Sequence, residues 1–162
     1  MDLLECTLEN TPEFTLGSKI NAKVLSCYDG DTFTIAVKIA NNPYKFSCRL
    51  MGCDTPEMKA SATKTQQEKE QQKLRAVTAK LELLKHLTDC NFDSFVPSAV
   101  SSNSKEIDKI IKTNKKIIEL DTFGFDKYGR LLVNLYISNS TLSDYMILNG
   151  YAYAYTGGTK QK

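Results

Sequence analysis

The stretch KINAKVLSCYDGDTFTIAVKIANNPYKFSCRLMGC, residues 19–53, decides the fold. Its middle alternates strictly, with Phe33, Ile35, Val37 and Ile39 on one side and Thr32, Thr34, Ala36 and Lys38 on the other. A period of two sends one face of a strand into a core and the other toward water. Asp29-Gly30 before it reads as a tight hairpin, and Asn41-Asn42-Pro43 after it as a second turn. The third run sets Tyr44, Phe46, Cys48 and Leu50 against Lys45, Ser47, Arg49 and Met51. Three antiparallel strands are predicted, with Arg49 pointing away from the apolar set.

Beyond Pro56 the period changes. Leu74, Val77, Leu81 and Leu84 recur at helical spacing, which predicts a helix ending near Leu87 and leaves its start open. Residues 66–73 read as a solvated face of that helix. Residues 88–104 are turn-rich. The basic run Lys105–Lys116 holds Ile107, Ile110 and Ile111 at the spacing of a short helix with a solvated surface. Two more strands follow, KKIIELD and RLLVNLYI, separated by DKYG. In the second, Arg130 opposes the apolar set Leu131, Val133, Leu135 and Ile137. A last helix opens at Thr141-Leu142-Ser143-Asp144 and closes at Gly150.

Three strands, a helix, two strands and a helix predict an α+β fold dominated by β. The expected form is a five-stranded Greek-key barrel of the OB type, with a long helix between its third and fourth strands and a C-terminal helix. Residues 1–18 read as an arm, 19–156 as the domain with an insertion at 88–116, and 157–162 as a tail.

A chain of 162 residues supports one core. No apolar run approaches the roughly 20 residues that cross a bilayer. Asp2, Glu5, Glu9 and Glu13 occupy the region where a secretory signal carries basic residues, so a cytoplasmic protein without a signal peptide is expected. Cys6, Cys27, Cys48, Cys53 and Cys90 are odd in number and contain no C-x-x-C pair, which reads as reduced apolar filler. The first eighteen residues carry −4 against a total of +2, which puts +6 on the remainder. That balance tolerates a polyanion and leaves binding to local patches.

Three patches carry chemistry: YDGDT at 28–32, RLMGCDTPE at 49–57 and DKYGR at 126–130. At one end of a barrel they would gather Asp29, Asp31, Asp54, Thr55, Glu57, Arg49 and Arg130. Hard oxygen ligands suit a cation such as calcium. Two guanidiniums suit a phosphate, gripped through forked hydrogen bonds. A further carboxylate could orient or deprotonate water.

In combination, D-G-D-T, R-x-x-x-x-D-T-P-E and D-K-Y-G-R resemble the staphylococcal nuclease (thermonuclease-like) family, from about Lys19 to about Tyr155. The resemblance implies that Asp31 and Asp54 are calcium carboxylates and that Thr55 adds its carbonyl. It further implies that Arg49 and Arg130 hold the scissile phosphate, Glu57 activates or positions water, and Lys127 and Tyr128 contact substrate. The implied activity is calcium-dependent hydrolysis of DNA and RNA; a barrel-surface groove and stacking tyrosines favour single strands, and a monomer is the expected state. The segment 88–116 is longer than the family's usual link, and the chain stops short of its further C-terminal helix. Tyr151, Tyr153 and Tyr155 remain open between barrel packing and base stacking.

Plainer roles stand beside these. Arg49 and Glu57 could form a surface ion pair, Asp29 reads as a turn residue, and His86 as structural. The rival function is a barrel of the same ancestry that binds nucleic acid or peptide without catalysis. The presence of all five of Arg49, Glu57, Arg130, Asp31 and Asp54 favours the enzyme.

Overall fold

The computed structural model describes residues 1–98 and 104–155. Five strands close a barrel: β1 (Lys19–Cys27), β2 (Thr32–Ile39), β3 (Asn42–Leu50), β5 (Ile118–Phe125) and β6 (Leu131–Asn134). Around it the order is β1-β2-β3-β6-β5, antiparallel except for the parallel β3/β6 pair. This is the predicted OB-type barrel. Short strands β4 (Cys53–Asp54) and β9 (Tyr153–Ala154) pair with each other, as do β7 (Tyr136–Ile137) and β8 (Ser140–Thr141). Helices α1 (Gln66–Leu87), α2 (Ser104–Ile111) and α3 (Leu142–Leu148) complete the fold.

One core unites barrel and helices. Val24, Phe33, Ile35, Cys48, Leu50, Leu120, Leu131 and Val133 fill the barrel, and Val77, Leu83, Leu84 and Leu87 of α1 continue it. Ile107 and Ile111 of α2 and Leu142 and Met146 of α3 join the same cluster. Each fully buried large side chain contributes about 1.5–3 kcal/mol. Cys27, Cys48 and Cys53 are buried here as small apolar groups. Burial pushes the Cys48 thiol up to about 12.

The start of α1 lies at a capping box: Thr65 Oγ1 accepts from Glu68 N, and Glu68 Oε2 accepts from Thr65 N, each at 3.2 Å. Leu74, assigned to the buried stripe, is 40% exposed, and the stripe runs instead through Ala76, Val77, Ala79, Leu83 and Leu84. The insertion is built into the domain rather than standing apart. Phe92 is buried, and fully buried Asn114 donates to Val24 O of β1 while its Oδ1 accepts from Asp89 N.

Both hairpins differ from the sequence reading. The β2–β3 turn is Ala40-Asn41, with φ of 49° and 69°, the left-handed pair that a two-residue type I′ hairpin requires. Pro43 lies within β3 opposite Lys38. The strand's other neighbour, β6, pairs only from Cys48 onward, so the missing N–H faces an open edge. Between β1 and β2 the chain makes a longer loop over residues 28–31 rather than a two-residue turn. Gly30 serves close packing there: a Cβ would lie 2.8 Å from both Ala79 Cβ and Thr55 Cγ2. The run RLLVNLYI breaks at Leu135 into β6 and β7, where Asn134 turns inward to bond Met51 O and Ser143. The 157–162 tail lies outside the described residues.

Gly30→Ala is expected to destabilise the fold by about 1–3 kcal/mol, because Ala79 Cβ is fixed to the α1 backbone and cannot yield. Urea unfolding of parent and variant measures the difference.

Candidate active site

Three loops meet at one end of the barrel: β1–β2, the segment after β3, and β5–β6. Register brings them together, since Arg49 lies opposite Thr32 on β2 and Leu132 on β6. Leu50 N donates to Asp31 O at 2.8 Å, tying the first loop to the end of β3. The resulting cleft encloses about 920 Å³. Asp31, Arg49, Asp54, Glu57, Lys127, Tyr128 and Arg130 all line it. Thr55, fully buried, sits behind this wall.

Asp31 is the joint. Its Oδ2 accepts from Thr55 N at 2.7 Å and stands 3.3 Å from Arg49 Nη1, while Oδ1 accepts from the Thr32 hydroxyl at 3.2 Å. Asp29 Oδ1 accepts from Asp31 N at 3.1 Å, the turn role expected of that residue. Arg49, only 8% exposed, donates through Nη1 to Leu50 O and Cys53 O at 2.8 Å each and through Nη2 to Asp54 Oδ1. A guanidinium's planar fork serves several acceptors at once, which an ammonium could not do from this position. It is thus a buried, multiply bonded cation rather than half of a surface ion pair.

The turn carrying Asp54 is braced from behind. Gly52 adopts φ of 93°. Met51 O accepts from Asn134 Nδ2 and from the Ser143 hydroxyl of α3. Strands β4 and β9 then pair Cys53 with Ala154 and Asp54 with Tyr153, and Tyr155 N donates to Gly52 O at 3.1 Å. This pairing brings the Tyr155 ring 5.6 Å from the Arg49 guanidinium, on the cleft wall. Of the three open tyrosines, Tyr155 is the one that reaches the cleft, and Tyr151 packs against the core.

Across the cleft, Asp126 organises the β5–β6 turn. Its Oδ1 accepts from the N–H groups of Tyr128 and Arg130, and its Oδ2 accepts from Arg130 Nε at 2.8 Å. Gly129 makes the turn possible at φ of 80°. The Tyr128 ring, 71% exposed, lies 5.3 Å from the Arg130 guanidinium and 5.1 Å from Lys127 Nζ, close enough for cation–π attraction. Burial alone would raise Asp126, but hydrogen bonds from Arg130 and Tyr128 and the Arg130 charge outweigh it and hold the carboxyl below its ordinary value.

Glu57 lies at the cleft mouth, and its backbone is anchored. Gln72 Nε2 of α1 donates to Glu57 O at 2.9 Å and to Lys59 O at 3.4 Å, and Gln72 is only 8% exposed. The reading of residues 66–73 as a solvated face is therefore corrected at Gln72, which fastens the loop to the helix. Its sequence signal was phase: Gln72 precedes Ala76 and Lys80 at i, i+4 steps on the buried side. Asp126 could have been found in the same way, four residues before the arginine it clamps.

The donors fit a hard cation. Five carboxylates line the cleft (Asp29, Asp31, Asp54, Glu57 and Asp126) against four cations (Arg49, Lys59, Lys127 and Arg130). The Thr55 hydroxyl is buried without a hydrogen-bond partner beside Asp31 and Asp54. Burial pushes the neighbouring Cys53 thiol up to about 11, so it stays neutral and adds no soft ligand. Among the described residues no group of three or more His, Cys, Asp or Glu is placed to hold a metal ion by itself. An ion held by two carboxylates would complete its shell with water and substrate oxygen.

The class is thus defined by a closed OB barrel that carries acids and arginines together on one cleft. The sequence profile described as staphylococcal nuclease homologue matches residues 47–162, and the chain belongs to that family. A search of curated proteins finds no match.

Because the folded Asp126 titrates below its unfolded value, its stabilisation is fully present above about pH 4 and is lost as pH falls through the depressed native value. The stability gap between parent and Asp126→Asn, read by urea unfolding, is expected to narrow as pH falls below about 4.

Proposed function

We propose that the protein is a calcium-dependent nuclease that hydrolyses phosphodiester bonds of DNA and RNA and prefers single strands. The observation that carries this reading is the convergence of Arg49, Arg130, Glu57, Asp31 and Asp54 on one cleft from three separate loops.

Phosphodiester hydrolysis accumulates negative charge on the equatorial oxygens of phosphorus. Fixed cations aimed at those oxygens lower the barrier more than they tighten ground-state binding. Arg130 meets the phosphate from one side, oriented through Asp126. Arg49, held by the Leu50 and Cys53 carbonyls, meets it from the other. Glu57 accepts a proton from the attacking water or fixes its direction, an effect of about 10²–10⁴-fold for a positioned base. Lys127 and Tyr128 hold the strand beside the cut. Asp31, Asp54 and the Thr55 carbonyl would hold the calcium, which supplies Lewis-acid polarisation of the phosphate and a more acidic bound water. Exposed Tyr128 and Tyr28, both lining the cleft, offer ring faces to unpaired bases, which supports the preference for single strands.

One feature favours the rival binding module: both terminal nitrogens of Arg49 already contact protein acceptors. A metal-dependence assay separates the readings. Purified protein is expected to degrade single-stranded DNA with calcium and to stop with chelator, and inertness across divalent ions would leave the binding module. Glu57→Gln and Arg130→Ala are each expected to cut kcat by about 10²-fold or more with the fold retained by circular dichroism. A near-parental kcat removes that residue from the site.

A further inference from the structure

A second cavity adjoins the cleft and shares Tyr28, Met58 and Lys59 with it. It encloses about 340 Å³, and its other lining residues are Cys27, Lys73, Lys80, Ser104 and Asp108. Three ammonium groups thus face a single carboxylate, Asp108, which is exposed on α2.

Lys80 is the unusual member. It sits on the buried side of α1 between Ala79 and Leu81 and is only 3% exposed. Among the described residues its ammonium makes no hydrogen bond or ion pair, yet it lines the cavity. The stem of Lys80 is buried along α1 while its ammonium opens into the cavity, where it is placed to meet an anion. Cys27 offers it no counter-charge, because burial holds that thiol well above its ordinary value and neutral. The Cys27 Sγ–H is directed instead to Asp29 O, at 3.0 Å. A cation fixed on the helix and opening into a basic recess suits an anion that enters from outside.

The position of the recess identifies that anion. Tyr28 and Lys59 stand on the boundary between cleft and recess, so a strand with one phosphate in the cleft continues past them. We propose that the recess is a phosphate subsite for the strand flanking the bond to be cut, with Lys80 as its fixed cation and Lys59 and Lys73 as its adjustable ones. The assignment to a flanking strand rests on the nuclease reading; the affinity of the recess for a nucleic-acid phosphate does not.

The test is fluorescence anisotropy of a labelled oligothymidylate of about eight nucleotides, titrated across salt concentrations in chelator so that the strand stays intact. Lys80→Met is expected to weaken binding and to flatten the dependence of log Kd on log salt by about 0.7, the loss of one single-strand phosphate contact. It is also expected to keep the thermal midpoint, since Met fills the space of the buried lysine stem. Lys73→Gln, at a half-buried position, should flatten the slope in the same sense and decides the matter if Lys80→Met fails to fold. Lys109→Met, an exposed lysine away from both cavities, controls for net charge and should leave the slope unchanged. Parental slopes in both recess variants, or an equal change in the Lys109 control, overturn the subsite even if the protein cleaves DNA with calcium. Flattened slopes in a protein inert toward DNA would sustain the subsite and refute the nuclease.

Discussion

The Asp31 carboxylate joins two segments that are distant in sequence. With one oxygen it takes the Thr55 N–H and stands against the Arg49 guanidinium, and with the other it receives the Thr32 hydroxyl. Without it the β1–β2 loop would be tied to the end of β3 by the Leu50 N–Asp31 O bond but would lose its side-chain grip on Thr55 and Arg49. With it, the acids and the arginine hold one arrangement before any ligand arrives. Charge-assisted bonds in a buried place are strong because water does not compete for them. The same burial makes them costly to leave incomplete, so the arrangement has few alternatives.

Around this joint the fold supplies rigid backing. Asn134 and Ser143 fix Met51 O, Gln72 fixes Glu57 O, and Asp126 closes the turn that presents Arg130. The resemblance assigns no role to Asn134, Ser143 or Gln72, and Asp126 enters it only as the first letter of D-K-Y-G-R, yet each determines where a cleft residue stands. Preorganisation of this kind lets a site stabilise developing charge without first rearranging itself.

Much of this was legible in the chain. Strict alternation in Thr32–Ile39 located a barrel strand, and three short motifs named the residues that the cleft collects. Sequence reasoning failed where a side chain's environment is set by a remote element. Gln72 looked solvated because its neighbours are polar, and only the return of residues 57–59 across α1 buries it. The Ala40-Asn41 turn carries no glycine, so the Asn-Pro pair beside it places the expected turn one residue late. Gly30 reads in the sequence as half of a tight hairpin, whereas in the fold its missing Cβ is what admits α1. Tyr155 could not be chosen among three tyrosines until the β4/β9 pairing gave it a place.

That pairing joins positions about a hundred residues apart, Cys53 with Ala154 and Asp54 with Tyr153. Contacts so distant along a chain form late, because the loop between them must close first. During synthesis the barrel's first three strands and α1 leave the ribosome long before Tyr155 does. A nascent chain therefore carries Arg49 and Asp54 without the strand that steadies them, and the finished cleft comes into being only when the last described residues have emerged.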